Sequence, residues 1–224
     1  MTMGPEFADR RVLLLPYGAQ ARSSPIVEPE AVFPEIRYER FTVETFQQQT
    51  ERDELSGYST GVALDSPWLQ WAVESDFAQL EADLRNAFSG HVVVDLGAGT
   101  RATGYKLAAE SGATAYAAVE LWNPDRLVQS IEAARVSKPI PAMVMRGNLV
   151  DFLRALPSGS SSIIASGLDD NIISGREARD TSKEIQRVLH PTGAFLRVKS
   201  NIPKISGLLK LELARDVELY RGER

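Results

Sequence analysis

The turn Asp95-Leu96-Gly97-Ala98-Gly99-Thr100-Arg101 is the part of this chain best suited to holding a small ligand. Glycines at 97 and 99 allow a tight backbone turn and leave room for a ligand to approach within van der Waals contact. The spacing Gly97-x-Gly99-x-x-Ala102 satisfies the degenerate dinucleotide fingerprint, so the glycines alone do not choose a cofactor. Asp95 helps to choose. A carboxylate aimed into a pyrophosphate pocket meets a like charge, whereas an ammonium-bearing ligand is attracted to it. Glu120, 21 residues after Gly99, can accept hydrogen bonds from both hydroxyls of a ribose. Asn148 can both donate and accept, or serve as an ordinary turn residue. Asp169 and Asp170 carry oxygens suited to a hard cation, but adjacent aspartates alone make no metal site and no metal is expected. The same pair also suits a loop that caps the next segment through an Asx turn, which is the reading the residues favour on their own. Tyr58, in Gly57-Tyr58-Ser59-Thr60-Gly61, has glycines on both sides that suit either a hinge or a simple turn. His190, just before Pro191, suits the end of a helix, and His91 suits the surface.

These residues need elements to hold them. From residue 91 the pattern alternates between β-branched runs and amphipathic stretches. Strands are expected at 92–96, 115–121, 142–146, 162–166 and 194–199, and helices at 102–110, 124–136, 151–156 and 177–189. Such alternation predicts βαβ units, right-handed crossovers and a Rossmann-like, doubly wound, mainly parallel sheet of the α/β class. Ligands then bind beyond the carboxyl ends of the strands, where the glycine turn, Glu120 and Asn148 all fall. Ahead of the sheet, Ser66-Pro67 opens a helix whose face is Leu69, Val73, Phe77, Leu80, Leu84 and Phe88. Residues 1–64, broken by five prolines, read as an acidic, partly irregular extension able to act as a lid, and residues 65–224 as the sheet domain. Within the extension, Leu13 to Leu15 suit a short strand and Phe46 to Leu55 a polar helix.

The run Val92-Val93-Val94-Asp95-Leu96-Gly97-Ala98-Gly99-Thr100 resembles the first motif of class I S-adenosylmethionine-dependent methyltransferases, and the resemblance extends over roughly residues 66–200. It implies that Gly97, Gly99 and Asp95 face the methionine part of S-adenosylmethionine. By the same resemblance Glu120 takes the ribose, Leu121 and Trp122 supply apolar contacts to adenine, and Asn148 with Leu149 meets the adenine edge. Asp169 or Asp170 falls on the acceptor side, as general base or as a group orienting an amine. Tyr58 falls in the segment that shapes the acceptor pocket. Arg101 stands where the family has a third glycine, so it either pairs with the cofactor's carboxylate or fills the pocket. The Asn/Asp-Pro-Pro-aromatic tetrapeptide of amino-methylating nucleic-acid enzymes is absent, which leaves a small-molecule acceptor as the expectation.

The family adds a helix and two antiparallel strands after the fifth strand. Here 205–213 reads as a helix and 217–220 as one strand, giving a short C-terminal edge with its final strand missing or supplied from elsewhere. A homo-oligomer, a partner chain or the N-terminal segment is expected to cover that edge.

Composition bounds the alternatives. The 224 residues contain no cysteine, which excludes disulfides, thiolate metal sites and a cysteine nucleophile. Residues 1–90 hold 7 Arg, no Lys and 15 acids (net −8), and residues 91–224 hold 18 basic and 15 acidic groups (net +3). The acidic part repels phosphate backbones, so a nucleic-acid partner is not expected. No apolar run approaches the ~18 residues of a membrane helix, and a cytoplasmic protein is expected. Two rivals stand beside the methyltransferase reading. One is a non-catalytic binding or regulatory module on the same fold. The other is a nicotinamide-dependent reductase, opposed by Asp95 and by the lack of a Tyr-x-x-x-Lys pair.

Overall fold

A computed structural model describes residues 25–27, 32–33, 77–121, 124–136, 138–168, 172–214 and 217–222. Among these, α1 (Phe77–Phe88) leads into a repeating unit: β1 (Val92–Leu96), α2 (Thr103–Glu110), β2 (Ala115–Val119), α3 (Pro124–Glu132), β3 (Ala142–Met145), α4 (Leu149–Ala155), β4 (Ser161–Ser166), α5 (Gly175–Val188) and β5 (Ala194–Val198). Two further strands, β6 (Leu209–Ala214) and β7 (Val217–Arg221), complete a seven-stranded sheet in the order β3-β2-β1-β4-β5-β7-β6. Strands β1 to β5 pair in parallel, and β7 runs antiparallel to both β5 and β6. The order reverses direction at β1/β4, which opens a crevice at the carboxyl ends of those strands.

The parallel strands read as continuous apolar runs because both faces are covered. Val94, Val119, Met145, Ile163 and Phe195 turn to the side of α4 and α5. Val93, Tyr116, Val144, Ile164 and Leu196 turn to the side of α1, α2 and α3, against Phe88, Tyr105, Leu127 and Ile131. Fully buried Phe152 and Phe195 each contribute roughly 1.5–3 kcal/mol by leaving water.

The expected helix over 205–213 is not formed; β6 occupies most of that span. Leu209, Leu211 and Leu213 alternate with Lys210 and Glu212, a period of two that suits a pleated edge, and Gly207, at φ +79°, separates this run from Ile205. Both antiparallel strands are therefore present, and no helix lies between β5 and β6 among the described residues. The described N-terminal residues lie at the opposite edge. Ala142 N–H donates to the Pro25 carbonyl at 2.6 Å, Val27 N–H donates to the Ala142 carbonyl at 2.8 Å, and Ile26 forms a parallel bridge to Ala142. Val32 and Phe33 are buried in the core beneath α4 and α5. The expected strand 13–15, the helix 46–55 and the Ser66 cap lie outside the described residues.

Candidate functional site at the carboxyl ends of the strands

An open cleft lies across the crevice. Four segments that follow β1, β2, β3 and β4 line it: Gly97; Val119, Glu120 and Leu121; Gly147, Asn148 and Leu149; and Leu168, Ile172, Ile173 and Glu177.

The glycine turn folds as its residues require. Gly97 and Gly99 adopt φ +66° and +70°, where a side chain is strained. A Cβ at Gly97 would stand 2.7 Å from Leu168 Cδ2, so the turn and the segment after β4 are packed face to face. The turn is tied to the end of β2: Gly97 N–H donates to the Val119 carbonyl at 3.1 Å, and Gly99 N–H donates to Glu120 Oε2 at 2.9 Å. Glu120 is 2% exposed yet lines the cleft, so its carboxylate both braces the turn and borders the ligand space.

Asp95 faces the other way. On β1 it shares the side of Val93, and it is buried beneath α2 with its Oδ2 accepting from the Tyr116 hydroxyl at 2.7 Å. Gly104 makes this burial feasible, because any Cβ there would collide with Oδ2. Tyr116 in turn meets Tyr105 edge-on at 5.6 Å. Asp95 Oδ1 is buried without a hydrogen-bond partner. Burial pushes the Asp95 carboxyl up to about 7; the Tyr116 hydrogen bond opposes the rise and the Glu120 charge adds to it. Burial and the neighbouring Asp95 likewise hold the Tyr116 hydroxyl well above its ordinary range.

Asn148 is the N-cap of α4: its Oδ1 accepts from Val150 N–H at 2.8 Å and Asp151 N–H at 3.3 Å. Glu177 stands in the first turn of α5, where a capping box holds it. Ser174 N–H donates to Glu177 Oε2 at 2.8 Å, and Glu177 N–H donates to Ser174 Oγ at 3.3 Å.

Of the residues singled out in the sequence, the cleft thus gathers Gly97, Glu120, Leu121, Asn148 and Leu149. Gly99 supports it through Glu120, Asp95 lies behind the turn, and Arg101 is exposed and is not part of the lining. Tyr58, Trp122, Asp169 and Asp170 lie outside the described residues. Leu168, Ile172, Ile173 and Glu177 were not anticipated. Ser174-x-x-Glu177 carries the signature of a helix start, but nothing in its spacing says that the helix opens onto the cleft. No group of three or more potential metal ligands occurs among the described residues.

The histidines sit at the far end of the sheet. His91 and His190 have ring centroids 4.6 Å apart and share the Thr192 hydroxyl. Burial, then the neighbouring His190, lowers the His91 pKa. Several cations of the basic stretch 176–210 have internal partners. Arg187 closes the end of α4 through the Leu153 and Leu156 carbonyls, Arg197 and Lys210 converge on Glu218, and Lys183 pairs with Asp180. No helix of the described residues is long and apolar enough to cross a membrane.

No known family profile matches the chain, and no curated protein matches it. Its similarities are to solved structures. A protein of Methanococcus maripaludis to which S-adenosyl-L-methionine-dependent methyltransferase activity is ascribed is 15% identical, over 69% of this chain and 64% of that one, at a TM-score of 0.43. An Escherichia coli protein to which methyltransferase activity is ascribed is 15% identical, over 66% and 86%, at 0.49. An S-adenosylmethionine-dependent methyltransferase of Mesorhizobium loti is 20% identical, over 66% and 64%, at 0.40. The chain thus spans under two thirds of the length of the first and last of these. The Rossmann-like α/β fold itself rests on the strand order and pairing described above.

Proposed function

We propose that this chain is an S-adenosylmethionine-dependent methyltransferase acting on a small-molecule acceptor. The observation that carries the reading is the cleft's charge: among the described residues its lining holds two carboxylates, Glu120 and Glu177, and no basic side chain. A pyrophosphate would meet only like charge there, whereas a ribose diol and a sulfonium cation are matched. This argues against the reductase reading on grounds independent of Asp95. Glu120, oriented by Gly99 N–H, is the ribose acceptor, and Leu121 and Leu149 offer apolar surface to the base. Bound S-adenosylmethionine supplies an electrophilic methyl group. The chain's contribution is to hold donor and acceptor in line and to exclude water, with Asp169 or Asp170 as the residue that takes the acceptor's proton. Tyr58 is assigned to the acceptor side on the same reading.

Calorimetric titration tests this. S-adenosylmethionine and S-adenosylhomocysteine should bind at micromolar level, Glu120→Ala should weaken both by about a hundredfold, corresponding to loss of two ribose hydrogen bonds, and NADH should not bind. Binding of NADH in preference to either nucleoside, or of none of them by the folded protein, overturns the reading.

A second reading, a non-catalytic module that binds the cofactor, is favoured by one feature. The acidic residue of the first motif, Asp95, is sealed beneath α2 with Tyr116 and does not line the cleft. Cofactor binding at full affinity with no methyl transfer across a broad acceptor screen would select it.

A further inference from the structure

Eight basic side chains fall between residues 176 and 210, and the fold divides them. Lys183, Arg187, Arg197 and Lys210 are held by carboxylates of the chain itself. Arg176, Arg179, Lys199 and Lys204 are exposed and make no salt bridge with any described residue.

Three of these unpaired cations stand at the cleft end of the sheet. Arg176 lies in the first turn of α5 beside Glu177, which lines the cleft. Arg179 follows one turn on. Its Nη1 is 3.8 Å from where a Cβ would stand on Gly175, so the guanidinium folds back toward the helix start. Lys199 directly follows β5, and the loop after it is fastened to the cleft wall: Asn201 N–H donates to the carbonyl of Leu168, a lining residue, at 2.8 Å. The same loop lies along α5, where the Ser182 hydroxyl donates to the Pro203 carbonyl at 3.4 Å. The segment after β4, the loop after β5 and the start of α5 thus form one flank, away from the side that Glu120 and Asn148 border.

These placements are unfavourable for the chain alone. Lys199 has φ +40°, the one positive value at a non-glycine residue among the described residues. A Cβ strains that conformation, and glycine would adopt it freely. The surroundings enforce it: Gly167 N–H donates to the Val198 carbonyl at 3.0 Å, and Arg197 Nε donates to the Ile202 carbonyl at 2.9 Å. Arg176 and Arg179 bring positive charge to the positive end of a helix dipole, where cations are least favoured. A bound anion answers both guanidiniums, and it makes use of an ammonium that glycine at 199 could not supply.

We propose that the methyl acceptor is an anion, a small molecule whose carboxylate or phosphate is held by Lys199, Arg176 and Arg179 beyond the ends of β4 and β5. The assignment rests on the S-adenosylmethionine reading above. Charge then changes sign along the site. Carboxylates line the part assigned to the cationic cofactor, cations flank the part left for the acceptor, and each ligand is repelled from the other's place. Three cations suit a single anionic group, whereas the acidic residues 1–90 repel a polyanion such as a nucleic acid.

The test is a ¹H–¹⁵N shift titration of the full chain saturated with S-adenosylhomocysteine, with inorganic phosphate in one arm and malonate in the other. Saturable shifts should centre on residues 175–179 and 199–201, with a dissociation constant of about 1–10 mM for the better anion. The tighter of the two tells a phosphate-bearing acceptor from a carboxylate-bearing one. Lys199→Gln and Arg176→Gln should each weaken binding by about threefold, and Lys199→Arg should keep it. Lys199→Gly should lose affinity as Gln does while melting no lower than the unaltered chain, which separates the charge from the backbone. Shifts that do not saturate, that lie elsewhere or that survive every charge-removing variant overturn the assignment and leave the cofactor reading standing. Displacement of S-adenosylhomocysteine by either anion overturns it too, by putting the anion in the cofactor cleft. If the folded chain does not bind S-adenosylhomocysteine, the cofactor reading fails and the acceptor assignment falls with it.

Discussion

Two buried carboxylates in this sheet have been driven in opposite directions. Asp95, 3% exposed under α2, has a neutral hydroxyl as its partner, and burial takes its pKa up to about 7. Glu218, 8% exposed on β7, is also pushed up by burial, but Lys210 at 2.6 Å, the Tyr220 hydroxyl at 2.6 Å and Arg197 at 2.7 Å outweigh that and bring it down to about 2. Burial alone does not decide the charge of a group; the charge of what it is buried against does. At the antiparallel edge the fold holds an anion within a cationic cage. Behind the glycine turn it holds a carboxyl close to neutrality.

The largest effect expected from this contrast is on the neutral-pH side. Asp95 binds its proton more tightly folded than unfolded, so stability falls as pH rises from about 4 through 7. A shift of about three pH units corresponds to roughly 4 kcal/mol. Asp95→Asn keeps an acceptor for Tyr116 without the charge. Denaturant unfolding should find it more stable than the unaltered chain at pH 8 by up to that amount, with the gap closing toward pH 4; a gap that ignores pH would refute the burial account.

Glu218 should behave as the mirror image. Its depressed pKa contributes stability that is complete above about pH 4.5 and lost as pH falls toward 2, roughly 3 kcal/mol in all. Glu218→Gln should be the less stable protein at pH 7, with Arg197 and Lys210 left facing each other, and it should lack this acid limb. An acid limb of unchanged depth in the variant would move the titration to another group.

Tyr116→Phe sharpens the comparison by taking from Asp95 its hydroxyl donor. The loss should cost about 1–3 kcal/mol at pH 8, where the carboxyl is ionised, and less at pH 5. It should also raise the Asp95 titration above 7, visible as an upward shift of the stability midpoint along the pH axis.

The smallest effect is at the cleft itself. Asn148→Ala removes the cap of α4 and should cost about 1 kcal/mol, independent of pH between 5 and 8. No loss at all would mean that α4 is held by its packing alone.

The five parallel strands were legible because burial on both faces leaves uninterrupted Val, Ile and Ala runs between glycine and proline breaks. The edge was harder to read. Ile205, Leu208, Leu209 and Leu213 also satisfy helical spacing, and only the Leu-Lys-Leu-Glu-Leu alternation of 209–213 favours a strand. The glycine turn, Glu120 and Asn148 could be located from their positions after strands, but not their hydrogen bonds. Asp95 looked like a ligand-facing residue, yet strand parity puts it on the side of Val93 rather than that of Val94. Leu168, Ile172, Ile173 and Glu177 reach the cleft through the segment after β4, a placement made by tertiary packing that no local period encodes.

The short pairing at the β3 edge also sets a timetable. Ile26 and Ala142 are 116 positions apart, so the N-terminal segment leaves the ribosome long before its partner strand exists. At ~5–20 residues per second that interval is on the order of ten seconds. Through it Ile26, Val27 and Phe33 have no sheet to join, and during synthesis they are open to capture by a chaperone.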